Sequence, residues 1–256
     1  MAASYPQFVL LGDSLFEHAI PITQGFSLQA KLGGLCARRI DVINRGFSGW
    51  SSRHLVQNLD QIFPAPVIGA PKIKYLAILI GANDAVLPWS PTKQHVPLEE
   101  YKENLGKIIN HPSIKAQQPK IFLITPPPID QIKHHRLDTE AGLKSALRES
   151  AISASYSEKA REVARENPNV ELVDLWQAIM DRAISQAPND YQPGGPLLGT
   201  LENGKPGGLD TLLPDGLHLG GEAYEILYDL LRPYIEADLE EKPVFPLWRE
   251  LTGSEI

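Results

Sequence analysis

Gln7 to Phe16, QFVLLGDSLF, is the stretch whose reading decides the fold. Four consecutive apolar residues, Phe8-Val9-Leu10-Leu11, run straight into Gly12-Asp13-Ser14, and an apolar run of that length closed by a turn signal reads as a buried strand. Ser14 then stands at the tip of that strand. In an open parallel sheet, ligands bind outside the carboxyl ends of the strands, so Ser14 lies on the edge where chemistry is expected. Gly12 removes the Cβ that would obstruct a tight turn. The plainer reading makes Ser14 a helix cap, a common use of serine, and only the rest of the chain decides between the two.

Working outward, Ser27 to Arg39 carries Leu28, Leu32 and Leu35 at helical spacing and ends in arginines that suit a helix C-terminus. A second strand is expected over Ile40 to Asn44, followed by the glycine-rich turn Arg45-Gly46-Phe47-Ser48-Gly49-Trp50 and a helix over Ser51 to Ile62. The third strand, Tyr75 to Ile80, is the most apolar run and belongs at the centre of the sheet; it ends in Gly81-Ala82-Asn83-Asp84. A helix over Pro97 to Asn110 leads to a fourth strand, Lys120 to Thr125, which Pro126-Pro127-Pro128 stops. A single helix from about Asp138 to Asn167 and a fifth strand, Val170 to Asp174, complete the alternation. This βα repetition predicts a three-layer α/β/α, flavodoxin-like domain with a five-stranded parallel sheet in the order 2-1-3-4-5. One domain is expected over residues 1–256, a routine length for such folds. The Gly/Pro-dense segment Gln186 to Pro214 is long for a connection, either a functional rim loop or a mobile insertion. A last helix, Glu222 to Glu236, precedes a tail over 240–256 whose Phe245, Leu247, Trp248 and Leu251 suggest docking on this subunit or, as a homodimer, on a second copy.

Composition narrows the partners. A net charge of −7 with no Lys/Arg-rich run argues against nucleic acid and against an anionic membrane surface. No stretch approaches a membrane span, and no basic leader or lipidation signal is read, so the expected location is cytoplasmic. The single cysteine, Cys36, falls in an apolar pattern and reads as a buried structural thiol.

Three strand tips and one late segment bring chemistry together. A serine hydroxyl is a poor nucleophile until a base takes its proton, and His218 can be that base. Asp215, one turn earlier in Asp215-Gly216-Leu217-His218, can accept the imidazole N–H and fix its tautomer. Backbone N–H groups at Ser14 and Gly49 and the carboxamide of Asn83 are suitable donors to an oxyanion.

The strings Gly12-Asp13-Ser14-Leu15, Gly49, Gly81-Ala82-Asn83-Asp84 and Asp215-Gly216-Leu217-His218 together resemble the four sequence blocks of the GDSL, or SGNH, hydrolases, in the right order. Asn44-Arg45-Gly46-Phe47-Ser48-Gly49 and Ile124-Thr125-Pro126-Pro127-Pro128 look most like the isoamyl acetate-hydrolysing esterase branch, although Gly220-Gly221 replaces the usual Ser-Pro after His-Leu and the insertion before Asp215 is longer. The resemblance implies a serine esterase acting on short-chain, acetate-type carboxylic esters through an acyl-enzyme. Ser14, Asp215 and His218 would be its triad, and Ser14, Gly49 and Asn83 its oxyanion hole, with no cofactor and no metal. A thioesterase, a lysophospholipase or a carbohydrate O-deacetylase would carry the same blocks, and an inactive binding module of the same fold is the reading from another class.

Competing readings attach to single residues. Ser48 in Gly46-Phe47-Ser48-Gly49-Trp50 is a near miss to G-x-S-x-G, with Trp50 where the last glycine belongs. Asp13 reads as a residue that holds the turn. His18 is the one competing base, while His134 and His135 read as solvated loop residues. Trp50 and Trp89 are candidates to line the substrate pocket, a role for which packing competes.

Overall fold

The computed structural model describes residues 5–143, 146–239, 244–246 and 248–253. Five strands form its sheet: β1 (Gln7–Gly12), β2 (Asp41–Gly46), β3 (Ile73–Leu79), β4 (Lys120–Ile124) and β5 (Val170–Val173). All pairings are parallel, in the order β2-β1-β3-β4-β5. Between and after the strands run α1 (Ser14–Glu17), α2 (Leu28–Leu35), α3 (Ser52–Ile62), α4 (Leu98–Ile109), α5 (Pro112–Lys115), α6 (Gln131–Glu140), α7 (Ser150–Glu166), α8 (Leu175–Gln186), α9 (Leu209–Leu212), α10 (Gly221–Glu236) and α11 (Trp248–Thr252).

Strand alternation sorts the core into two layers, because successive side chains leave a strand on opposite faces. Phe8 and Leu10 of β1, Tyr75 and Ala77 of β3 and Phe122 of β4 pack with α2, α8 and α10. Val9 and Leu11, Leu76 and Ile78, and Ile121 and Leu123 pack with α3, α4 and α7. Both faces are thereby covered, which is why these strands read as continuous apolar runs. Among the described residues no helix is long and apolar enough to cross a membrane.

Two close approaches set the tip of β1. A Cβ on Gly12 would stand 2.1 Å from the Leu79 carbonyl oxygen of β3, and one on Gly46 would stand 2.1 Å from the Glu17 amide nitrogen. Glycine at both places lets β1 approach β3, and β2 approach α1, behind Ser14.

Four expectations need correction or sharpening. The helix expected over Ser27 to Arg39 stops at Leu35; Gly33 and Gly34 weaken its last turn, and Arg38 has φ +65°, so the arginines lie in the following turn. The helix expected from Asp138 to Asn167 is two helices, α6 and α7. Gly142, at φ +83°, lies in the break, and α6 begins earlier because the Asp130 carboxylate caps it, accepting from the Lys133 amide at 3.1 Å. Within 141–149, residues 144 and 145 lie outside the described residues. The segment 186–214 is packed: Leu198, Leu209, Leu212 and Leu213 are buried, and the Gly199 carbonyl accepts from the Gln131 amide at 2.8 Å. Of the tail, Phe245 and Pro246 rest on the same chain, where the Arg38 guanidinium donates to their carbonyls and Phe245 meets the Tyr5 ring edge-on at 5.5 Å. Trp248 and Leu251 of α11 are exposed, whereas 240–243, Leu247 and 254–256 lie outside the described residues. Cys36 is buried, and burial pushes its thiol up to about 11, so it is a neutral structural side chain.

Candidate active site

β1 ends at Gly12, and Asp13 is the residue that caps the short helix behind it: its Oδ1 accepts from the Leu15 amide at 2.9 Å. Ser14 is the first helical residue and is not the cap. Its hydroxyl lies 2.9 Å from His218 Nε2, and His218 Nδ1 lies 2.6 Å from Asp215 Oδ2. An ionised carboxylate only accepts, so Nδ1 carries the proton and Nε2 is left to accept from the serine. The other oxygen, Asp215 Oδ1, accepts from the amides of Leu217 (2.9 Å) and His218 (2.7 Å). Burial opposes ionisation of Asp215, but the imidazole and these two amides outweigh it and hold the carboxyl well below the usual range.

The turn bearing Asp215 is held from below. Gly216, at φ +84°, sits against the start of α6, where its Cβ would stand 2.9 Å from the Asp130 carbonyl oxygen, and its own carbonyl accepts from the Asp130 amide at 2.9 Å. Lys133 donates to the carbonyls of Asp210 (2.9 Å) and Pro214 (3.2 Å) and pairs with the Asp210 carboxylate at 2.7 Å, stapling α6 to the residues before Asp215. On the far side, the Tyr224 hydroxyl of α10 donates to the Leu15 carbonyl at 2.7 Å.

The tips of β2 and β3 supply the remaining groups. Gly49 adopts φ +80°, and its carbonyl accepts from Gln94 Nε2 at 2.7 Å. Asn83 is buried; its Nδ2 donates to the Trp50 carbonyl at 2.9 Å, and its Oδ1 accepts from the Arg148 guanidinium at 3.2 Å. The neighbouring Asp84 is more than a turn former. Its carboxylate accepts from the Ser52 amide at 3.0 Å and from the Ser52 hydroxyl, joining the β3 tip to the N-terminus of α3. Burial pushes Asp84 up to about 6 and Asp13 up to about 7; Asp13 Oδ2 is buried with no hydrogen-bond partner among the described residues.

The other candidates fall into place around this centre. His18 is exposed, and its ring lies 4.8 Å from that of His218, tilted by 42°, while the imidazole bonded to Ser14 is that of His218. Ser48 donates its amide to Glu17 at 2.7 Å. Trp50 joins the site through its carbonyl; its indole stacks on Phe47 at 4.4 Å and 21°. Trp89 is 52% exposed on the connection between β3 and α4. His134 corrects an expectation. It is a helical residue of α6 packed under Gly216, with Nε2 buried and without a hydrogen-bond partner among the described residues, and burial pushes its pKa down; His135 is exposed on the same helix.

Sequence reading missed Arg148, Gln94 and Lys133, each of which grips a backbone or side chain that the motifs do name. Gly142, a helix breaker inside what read as one helix, signals the break in which Arg148 lies but not the burial of its side chain. Among the described residues no cluster of three or more His, Cys, Asp or Glu side chains could hold a metal ion.

A parallel sheet in this order, with a Ser-His-Asp chain at one strand tip and amide donors at the next two, defines the class of ester hydrolases built on the SGNH fold. The chain belongs to the GDSL-like lipase/acylhydrolase family, whose model matches residues 10–226, and it is a carboxylic ester hydrolase. It is 31% identical over 239 residues to a GDSL esterase/lipase of rice (Oryza sativa subsp. japonica), covering 93% of this chain and 80% of the relative. It is 28% identical over 253 residues to the isoamyl acetate-hydrolyzing esterase 1 homolog of Homo sapiens, covering 98% and 90%. The fold is also that of the lipase/acylhydrolase from Enterococcus faecalis, at TM-score 0.59, 23% identity and coverage of 93% and 98%.

Proposed function

We propose that the protein hydrolyses short-chain, acetate-type carboxylic esters through an acyl-enzyme formed on Ser14. The observation that carries this reading is the unbroken chain Asp215–His218–Ser14, with heavy-atom separations of 2.6 and 2.9 Å. His218 takes the hydroxyl proton as Ser14 Oγ attacks the ester carbonyl carbon. The imidazolium then faces Asp215, whose lowered pKa keeps it anionic and able to stabilise that charge. Collapse of the tetrahedral adduct breaks the bond to the alcohol oxygen, which leaves with the proton from His218. Water, deprotonated by the same imidazole, attacks the acyl carbon, releases the acid and restores Ser14.

The oxyanion is assigned to the N–H groups of Ser14 and Gly49 and to Asn83 Nδ2. Removing one such donor typically costs ~2.7–4 kcal/mol of transition-state stabilisation. Preference for a small acyl group is supported by near full-length similarity to a relative that is named for isoamyl acetate hydrolysis. Trp89 is assigned to the rim of the substrate site, and Trp50 contributes by accepting from Asn83 through its carbonyl. A cytoplasmic setting is part of the reading and is compatible with one buried, unpaired cysteine.

A panel of esters graded in acyl length tests the proposal. kcat/KM should be highest for acetyl to butyryl esters and fall for octanoyl and longer chains. A maximum with long acyl chains, with acyl thioesters or with acetylated sugars would replace this substrate assignment by the corresponding one.

A further inference from the structure

The mechanism leaves one buried charge without a role. Arg148, in the break between α6 and α7, is 7% exposed, and burial pulls its guanidinium down to about 10, so it is a cation at neutral pH. A buried charge is costly unless it is paired and hydrogen-bonded. Asp13 in its ionised form, together with the carboxylates of Asp138, Asp215 and Asp84, supplies the compensating field. The guanidinium instead donates hydrogen bonds to the Ala82 carbonyl and, at 3.2 Å, to Asn83 Oδ1. Its segment is pinned for that purpose: the Leu147 amide donates to Asp138 Oδ2 at 2.8 Å, and the Leu147 carbonyl accepts from the Leu87 amide at 2.9 Å.

We infer that Arg148 is a positioning residue for the oxyanion hole, which sets the orientation of the Asn83 amide and holds the Ala82–Asn83 peptide that carries it. The inference rests on the reading of Asn83 as an oxyanion donor. A guanidinium has donors only, so the oxygen of Asn83 must face it and the amino group must face away. In the flipped orientation two donors would meet at Arg148, and two oxygens at the Trp50 carbonyl. With the amide set, one N–H of Nδ2 is taken by Trp50 at 2.9 Å and the second remains for the substrate. The adjacent cation also polarises the amide, which strengthens that second donor as negative charge develops.

A double-mutant cycle tests this with a short p-nitrophenyl ester as substrate. Arg148→Met should lower kcat by about 10- to 100-fold and change KM by less than about 3-fold, since the donor matters in the transition state. Asn83→Ala should lower kcat by about 100-fold or more. In the Asn83→Ala background, Arg148→Met should cost less than about 3-fold further, because residues acting as a unit are non-additive. Arg148→Lys keeps the cation but loses the fork; it should cost about 10-fold alone and nothing in the Asn83→Ala background, and it stands in if the Met variant does not fold. Full activity of Arg148→Met, or the same loss in both backgrounds, overturns the inference and leaves the oxyanion assignment standing. Full activity of Asn83→Ala removes that assignment, and this inference falls with it.

Discussion

His218 Nε2 and Ser14 Oγ lie 2.9 Å apart although 204 residues of chain separate them. A second imidazole lies close by, the His18 ring being 4.8 Å from that of His218 and tilted by 42°, and of the two only His218 is bonded to both Ser14 and Asp215. His218→Ala should therefore lower kcat by at least about 1,000-fold, whereas His18→Ala should stay within about 10-fold of wild type. Steady-state kinetics of the two variants decide the matter, and retained activity in His218→Ala would sink the triad.

Asp215→Asn keeps the size of the side chain but lets the group at Oδ2 become a donor. An amide there favours the wrong imidazole tautomer, so kcat should fall by about 100- to 10,000-fold with little change in KM. The amides of Leu217 and His218 would still be accepted by the remaining oxygen, so thermal stability should change little.

Asp13 gives a stability prediction with a definite sign. Its folded-state pKa is raised by burial to about 7, above the ordinary value of 3.8, so over that range the folded protein holds a proton that the unfolded chain has already lost. Its contribution to stability is therefore undiminished below about pH 4, declines as the pH rises through the window to about 7, and stays low above it. Asn caps a helix as well as Asp and does not ionise. Asp13→Asn should gain about 1–3 kcal/mol relative to wild type between pH 4.5 and pH 8, measured by urea unfolding. A flat or opposite trend would contradict a raised pKa.

Gly46 tests the geometry behind the nucleophile. An alanine Cβ there would stand 2.1 Å from the Glu17 nitrogen, 2.7 Å from the Phe16 carbonyl carbon and 2.8 Å from the Asp13 oxygen, all backbone atoms that cannot swing aside. Gly46→Ala should cost about 3 kcal/mol of stability in chemical denaturation and displace the turn that bears Ser14. A variant as stable and active as wild type would show that this contact is not tight.

Most of the sheet was legible because buried parallel strands write themselves as short apolar runs, and the first four runs, from Phe8-Val9-Leu10-Leu11 onward, ended in a glycine or proline turn. Asp215 and His218 were legible because three residues of separation bring a carboxylate to an imidazole locally. Arg148 was not, because its partners Ala82 and Asn83 lie more than 60 residues away and nothing local marks an arginine as buried. The split between α6 and α7 was obscured by helix formers on both sides of Gly142. The packing of 186–214 was hidden in its Gly/Pro composition, which reads as loop although Leu198, Leu209, Leu212 and Leu213 anchor it.

The central claim is that Ser14 becomes acylated. Incubation with a fluorophosphonate followed by intact-mass measurement tests it most directly, alongside a Ser14→Ala variant whose circular dichroism and melting temperature match wild type. One covalent adduct per chain is expected on the wild-type protein and none on Ser14→Ala. No adduct on folded wild-type protein, or an equal adduct on both, would contradict the account and leave an SGNH-fold protein whose serine is not a nucleophile.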